Sequence, residues 1–238
     1  MWPMTRARSC DVERGPVADS PVEPAAARSW LDPVTFELFR RLSASRGRRI
    51  FHPSGAAYAA CFAANDQDGS VTAEIFLAGF EHEALVRLSR GLGLRRGLPD
   101  VFGLALRLPD AYGLGQHQDF LLASSGEGAA GRRLLRPALG ARTGMYSSLL
   151  PYEVGKQRLL VGARPVPKAT NAFDLLVASP RGPWRVAARL TFGRRLEDAV
   201  ARELRFDPWN TGGGLIPAGV ANRVRGAAYR GSRQGSAT

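Results

Sequence analysis

Two residues four apart near the C-terminal end, Arg225 and Tyr229, carry the most specific chemistry in this chain. On a helix, side chains at that spacing share one face. A guanidinium beside a phenol favours the phenolate and lowers its pKa. A phenolate is an anionic ligand suited to ferric iron, and it disfavours the ferrous state. Alone, Arg-x-x-x-Tyr is a common pairing, usually an aromatic on a surface helix near an arginine. Its weight depends on what else the chain holds. There are three histidines, His52, His82 and His117. His82 sits in Glu-His-Glu and His117 in Gln-His-Gln, polar settings that read as solvated. His52 lies in Arg49-Ile50-Phe51-His52-Pro53-Ser54-Gly55. It is either a turn or core histidine, or an imidazole able to take a proton and return it to a leaving oxygen. No HExxH or CxxC spacing joins the histidines, so a zinc hydrolase is poorly supported.

These residues need a scaffold, and the hydropathy pattern describes one. Residues 1–30 are rich in Pro, Ala, Ser and charge and read as a flexible or wrapping N-terminal arm. Asp32-Pro33 predicts a helix start, with Phe36, Phe39 and Leu42 as its apolar face. Strands are predicted at Ala57–Ala63, Thr72–Leu77, Ala84–Ser89, Phe102–Leu108, Asp119–Ala123, Arg158–Arg164, Phe173–Ser179 and Trp184–Thr191. Leu196, Val200 and Leu204 predict a helix over 194–205, ended by Asp207-Pro208. Gly212-Gly213-Gly214 leads to a last helix near 217–229, and residues 234–238 read as a frayed tail. About eight strands with Gly, Pro and Asp turns between them suggest a closed antiparallel barrel. The expected fold is thus α+β, an eight-stranded antiparallel β-barrel with flanking helices, as one domain over 31–233.

The bulk properties set limits. The chain has 238 residues, 45% of them apolar, enough for one large core. No apolar run is long enough for a membrane span, and Met1-Trp2-Pro3-Met4-Thr5-Arg6 has no signal-peptide pattern, so the default expectation is a cytoplasmic protein. Cys10 and Cys61 are the two cysteines, one in the arm and one in a strand, so no disulfide framework is expected. The net charge is +12, carried almost wholly by arginine. Scattered arginines without a nucleic-acid motif argue against nucleic acid as a partner. A few of them suit a carboxylate-bearing cofactor, because the planar guanidinium grips carboxylates bidentately.

An ordered set of motifs resembles the haem-catalase superfamily, over roughly residues 49–126 and 206–233. That family carries Arg-x-x-His-x-x-Gly leading into a strand that ends in Phe; here Arg49, His52, Gly55 and Phe62 stand in register. Its Val-Arg-Phe-Ser strand is matched by Val86-Arg87-Leu88-Ser89, and its Gly-x-Ala-x-(basic) strand by Gly103, Ala105 and Arg107. An Asp with an apolar run follows at Asp119-Phe120-Leu121. Near the C-terminus, Phe-x-Pro-x-Asn, a Gly-Ile-x-Pro-like turn and Arg-x-x-x-Tyr are matched by Phe206 to Asn210, Gly214 to Pro217, and Arg225 to Tyr229.

The resemblance implies a catalase-like barrel holding haem b. Tyr229 would be the iron ligand, sharpened by Arg225, and His52 the acid/base on the open face, with Ser89 orienting it. Arg49, Arg87 and Arg233 would pair with the haem propionates, and Phe51 would pack on the haem. The family's distal Asn is missing, since Leu122-Ala123-Ser124-Ser125 stands there, and the long C-terminal helical portion is absent. The implied function is therefore a haem-dependent oxidoreductase. It would use hydrogen peroxide or an organic hydroperoxide to oxidise a small organic substrate, with weak catalase activity at most. The alternative is a non-enzymatic haem- or lipid-binding module on the same barrel. The N-terminal arm is compatible with a homodimer.

Overall fold

A computed structural model describes residues 55–65, 71–91, 94–95 and 97–218. Eight strands close a ring. They are β1 (Ala56–Ala64), β2 (Glu81–Arg90), β3 (Phe102–Leu108), β4 (Gln118–Ser125), β5 (Met145–Ser147), β7 (Gln157–Pro165), β8 (Ala172–Ala178) and β9 (Arg185–Arg195). Every neighbour pair is antiparallel, and β9 pairs with both β8 and β1 to complete the barrel. Two short strands, β6 (Tyr152–Val154) and β10 (Leu215–Pro217), extend one end of β7.

The period-2 pattern explains which face is which. On β3, Phe102, Leu104, Leu106 and Leu108 are buried in the lumen, whereas Gly103, Ala105 and Arg107 face out. Phe62, Val86, Phe120, Phe173, Val177, Leu190 and Phe192 join them in one continuous core. Lumen aromatics stack in pairs, Phe173 on Phe192 at 5.3 Å and Phe120 edge-on to Tyr152 at 5.7 Å. Eight strands give a lumen just wide enough for these side chains to fill.

Several expectations are corrected. Thr72–Leu77 is no strand: Val71, Ala73, Ile75 and Phe76 are all buried, but as an end plug built around a 3-10 turn at Glu74–Phe76. Its backbone closes on itself, Phe76 N–H to the Ala73 carbonyl at 2.9 Å, so alternating apolar residues there have no ladder partner. The eighth strand is instead β5, three residues long and too short for a periodicity signal. The helix expected over 194–205 shrinks to α1 (Asp198–Glu203), because β9 runs on to Arg195, which pairs with Tyr58. Residues 215–217 form β10, and the helix expected near 217–229 lies almost wholly outside the described residues. Among the described residues α1 is the one α-helix, so flanking helices are not part of the described fold, and the helix expected from Asp32 lies outside it. Cys61 is disulfide-bonded, contrary to expectation; its only possible partner within the chain, Cys10, lies outside the described residues. No helix among the described residues is long and apolar enough to cross a membrane.

Candidate functional site

The outer face of β1–β4 carries an unusual row of small residues. Ala57 pairs with Arg87, Arg87 with Ala105, and Ala105 with Leu121. One step along, Ser89 pairs with Gly103 and Gly103 with Ala123. Gly55 precedes Ala56 and lies against the same two β2 side chains. A Cβ there would stand 2.9 Å from Arg87 Nε, 3.0 Å from the Leu88 carbonyl oxygen and 3.4 Å from Ser89 Cβ. Four strands at about 4.8 Å spacing make a floor about 14 Å across. Only Arg87, Ser89 and Leu121 project beyond a methyl group from it. At the Ala123 end the floor meets a small apolar cluster of Val101, Leu135 and Leu149.

Two residues further along the same face, the floor ends in a buried ion pair. Arg107 and Asp119 face each other across β3 and β4. Arg107 donates to both carboxylate oxygens of Asp119, Nε at 2.7 Å and Nη2 at 2.6 Å, a bidentate fork. Asp119 is fully buried. Its hydrogen bonds, more than the nearby charge, hold the Arg107 guanidinium above its ordinary pKa, against the pull of burial. Asp119 also accepts from the Asp207 N–H at 2.7 Å and from Asn210 Nδ2 at 3.0 Å, and its own N–H donates to the Asn210 carbonyl at 2.8 Å. Arg107 reaches the Arg205 carbonyl as well and lies 5.4 Å over the Phe206 ring.

The neighbouring Gln118, also fully buried, grips the next residues from the barrel end. Its Oε1 accepts from Tyr112 Oη at 2.9 Å and the Gly212 N–H at 3.4 Å, and lies 3.1 Å from Thr211 Oγ1. Gly212 and Gly213 lie flat on the Tyr112 ring, where a Cβ would come within 2.6 and 2.4 Å of ring carbons. Only glycine fits such an approach, and Gly213 also has φ of +53°. β10 then pairs with β6, and Ala218 N–H reaches the Pro151 carbonyl at 2.9 Å. Residues 205–218 thus form a strap pinned along its length. Its Trp209 Nε1 is a buried donor with no partner among the described residues.

Of the eight site residues expected from sequence, Arg87 and Ser89 fall within the described residues. They share the outer face and converge on Gly55, three residues after His52. His52, Arg49, Phe51, Arg225, Tyr229 and Arg233 lie outside the described residues. The Arg107–Asp119 pair and Gln118 were not expected as functional residues. The one available signal was an aspartate heading an apolar strand, opposite an arginine in the adjoining strand.

The described residues also contain a second Arg-x-x-x-Tyr, Arg142 and Tyr146. Burial raises the Tyr146 pKa above its ordinary value, outweighing the opposing effect of Arg142, and its hydroxyl donates to the Ala141 carbonyl at 2.7 Å. Arg142 is engaged elsewhere, with the Ala169 and Ala172 carbonyls and 4.7 Å over Phe173. Tyr112 is likewise raised, by burial and then by Glu74. Neither of these tyrosines is set up as a phenolate. Among the described residues no group of three or more His, Cys, Asp or Glu is placed to hold a metal ion.

The chain superposes on catalase A from Saccharomyces cerevisiae with a TM-score of 0.57 at 10% identity, covering 90% of this chain and 66% of that one. A fungal catalase gives a TM-score of 0.58 at 11% identity, covering 89% of this chain and 63% of that one. The fold is catalase-like. At these identities the likeness speaks for the barrel alone, and the chain spans about two thirds of the length of these catalases. No family model matches the sequence. No curated protein matches it either. The outer face of β1–β4 is compatible with a planar cofactor bearing carboxylates: its residues are mostly no larger than a methyl group, a Cβ at Gly55 would crowd Arg87 and Ser89, and Arg87 stands among them as a cation.

Proposed function

We propose that the protein is a haem-dependent oxidoreductase that uses hydrogen peroxide or an organic hydroperoxide to oxidise a small organic molecule. The observation that carries this reading is convergence on one outer face. Gly55, three residues after His52, lies against Arg87 and Ser89, and Asp119 at the end of the same face holds the strap that precedes Arg225 and Tyr229 in the chain. Chain connectivity alone keeps the His52 Cα within about 11 Å of Gly55. The cofactor would supply the redox chemistry of ferric iron when bound.

The chain's own residues have separable tasks. Tyr229 would hold the iron through its phenolate oxygen, and Arg225, four residues earlier, would favour that deprotonated form. His52 takes the proton of the incoming hydroperoxide on its imidazole nitrogen and returns it to the leaving oxygen. Ser89 holds the imidazole in the orientation that makes this transfer short. Arg87, Arg49 and Arg233 would hold the cofactor by its propionate carboxylates. Phe51 would supply an apolar contact to the cofactor. Ala123, against Val101, Leu135 and Leu149, offers no hydrogen-bond donor at the end of the floor. That weakens handling of hydrogen peroxide and favours a substrate with apolar surface. The same observation supports the second reading, a haem- or lipid-binding module without turnover.

The test is the visible spectrum of protein expressed with haem supplied. A Soret band with high-spin ferric tyrosinate features supports the reading. A colourless protein that fails to take up added haemin removes it. Full haem occupancy without reaction toward any peroxide leaves the binding module.

A further inference from the structure

We propose that Arg107 and Asp119, with Gln118 beside them, are positioning residues whose task is to seat the strap 205–218 so that the segment beyond Pro217 starts from a single place on the barrel. The inference rests on the proposed role of Tyr229, because the segment so positioned is the one that carries Arg225 and Tyr229.

The barrel does not need this arrangement to close. Its core is complete from β1–β9 and the end plug, and the strap adds only Leu215 to it. Covering a barrel rim calls for apolar contacts, and a buried ion pair is a poor source of net stability. Here two adjacent, fully buried polar side chains are committed to one short segment, and every oxygen of theirs is used. They grip from opposite sides, Asp119 on the outer face at Asp207 and Asn210, Gln118 at the barrel end at Thr211 and Gly212. A fully satisfied buried network selects one geometry where an apolar contact would tolerate several. The place selected is meaningful: Arg107 is four residues from Gly103 on the same strand face, about 13 Å from the Ser89 row. The strap therefore begins at the edge of the floor, at Arg205 beside Arg107, and ends at Ala218 on Pro151.

Asp119→Asn keeps the shape and removes the charge that four donors share. Asp174→Asn is the control, since it cuts a comparable outer-face pair, Arg189 Nε to Asp174 at 2.7 Å, on the other side of the barrel. Three readouts apply to the full chain: haemin affinity, the ferric tyrosinate signature by electron paramagnetic resonance and resonance Raman, and hydrogen exchange of apo-protein amides. For Asp119→Asn the expected result is at least about a tenfold loss of haemin affinity with a heterogeneous or absent tyrosinate signature. Exchange should quicken over 205–218 while β1–β9 stay protected. Asp174→Asn should keep the signature. An Asp119→Asn protein with a normal signature and unchanged strap protection overturns the proposal, as does loss of protection across the whole barrel. If the wild type itself shows no tyrosinate signature, the haem reading fails on its own, and exchange over 205–218 decides the seating role.

Discussion

Gly55→Ala is the most direct test of how the site is assembled. The φ of Gly55 does not fall in the left-handed region, so alanine can adopt the backbone. Reduced freedom of the unfolded chain would then favour the variant by about 0.4–1 kcal/mol. Against this, the new methyl lies 2.9 Å from Arg87 Nε and 3.0 Å from the Leu88 carbonyl, a backbone atom inside the β1–β2 ladder. Restoring ordinary contact requires Arg87 or the first rung of β1 to move by about half an ångström, and overpacking of that kind costs about 1–3 kcal/mol. The net expectation is a destabilisation of about 1 kcal/mol. A displaced Arg87 would also lose a charge-assisted bond to a propionate, about 1.5–3 kcal/mol, or roughly ten- to a hundredfold in haemin affinity. The assay is a double-mutant cycle, Gly55→Ala and Arg87→Ala singly and together, read by urea midpoint and haemin titration. The closest contact is with Arg87, the softer of the two neighbours, so if Arg87 yields rather than the Leu88 backbone, the methyl should have no further effect on affinity once Arg87 is gone. Strictly additive losses would refute the reasoning. Gly193→Ala serves as a reference, because its Cβ would stand at an ordinary 3.4 Å from the Ala59 carbonyl, and it should be neutral or slightly stabilising.

Other outcomes follow from the same description. Tyr229→Phe should abolish or greatly weaken haem binding, and stoichiometric haem with an unchanged spectrum would remove Tyr229 as the ligand; His52→Ala should keep haem and slow its reaction with peroxide in stopped flow. Tyr112 and Tyr146 have raised folded pKa values, so their contribution is fully present below the unfolded tyrosine pKa of about 10 and is lost as pH rises above it. The unfolded state binds fewer protons there, so urea-derived stability should fall by up to about 1.4 kcal/mol per pH unit per tyrosine, and a flat profile from pH 9 to 11 would contradict their burial. Leu106→Ala, in the middle of the lumen, should cost about 2–5 kcal/mol by urea denaturation. Alkylation under denaturing, non-reducing conditions should leave Cys61 unlabelled until reductant is added.

The long strands were readable because one physical signal dominates each. Phe102–Leu108 alternates lumen and exterior without a break, and its bounds are those expected. Ala172–Ala178, expected at Phe173–Ser179, reads as an apolar run broken only by Asp174 because both its faces are buried. The failures have equally local causes. Residues 72–77 alternate like a strand, yet their burial comes from plugging the barrel end, a tertiary fact. β5, β6 and β10 are three residues each and carry no period at all. Arg87 and Ser89, singled out through motif order, share one outer face in the structure. Asp119 was visible only as the head of an apolar run, because its partners Asp207 and Asn210 stand 88 and 91 residues away and no local pattern links them.

That separation shapes how the molecule must come together. Bringing the ends of a segment of about 90 residues into contact costs roughly 4 kcal/mol of chain entropy when nothing lies between them. Once β4 to β9 are folded the same contact bridges a short gap. The strap is therefore a late arrival, both in thermodynamic order and in the direction of synthesis, docking after the ring has closed behind it. Until then Asp119 and Arg107 face solvent and the small-residue floor lies open from the side. The buried network around Asp119 and Gln118 is therefore completed only when residues 205–218 arrive, so the last step of folding is the one that satisfies the two most deeply buried polar side chains of β4.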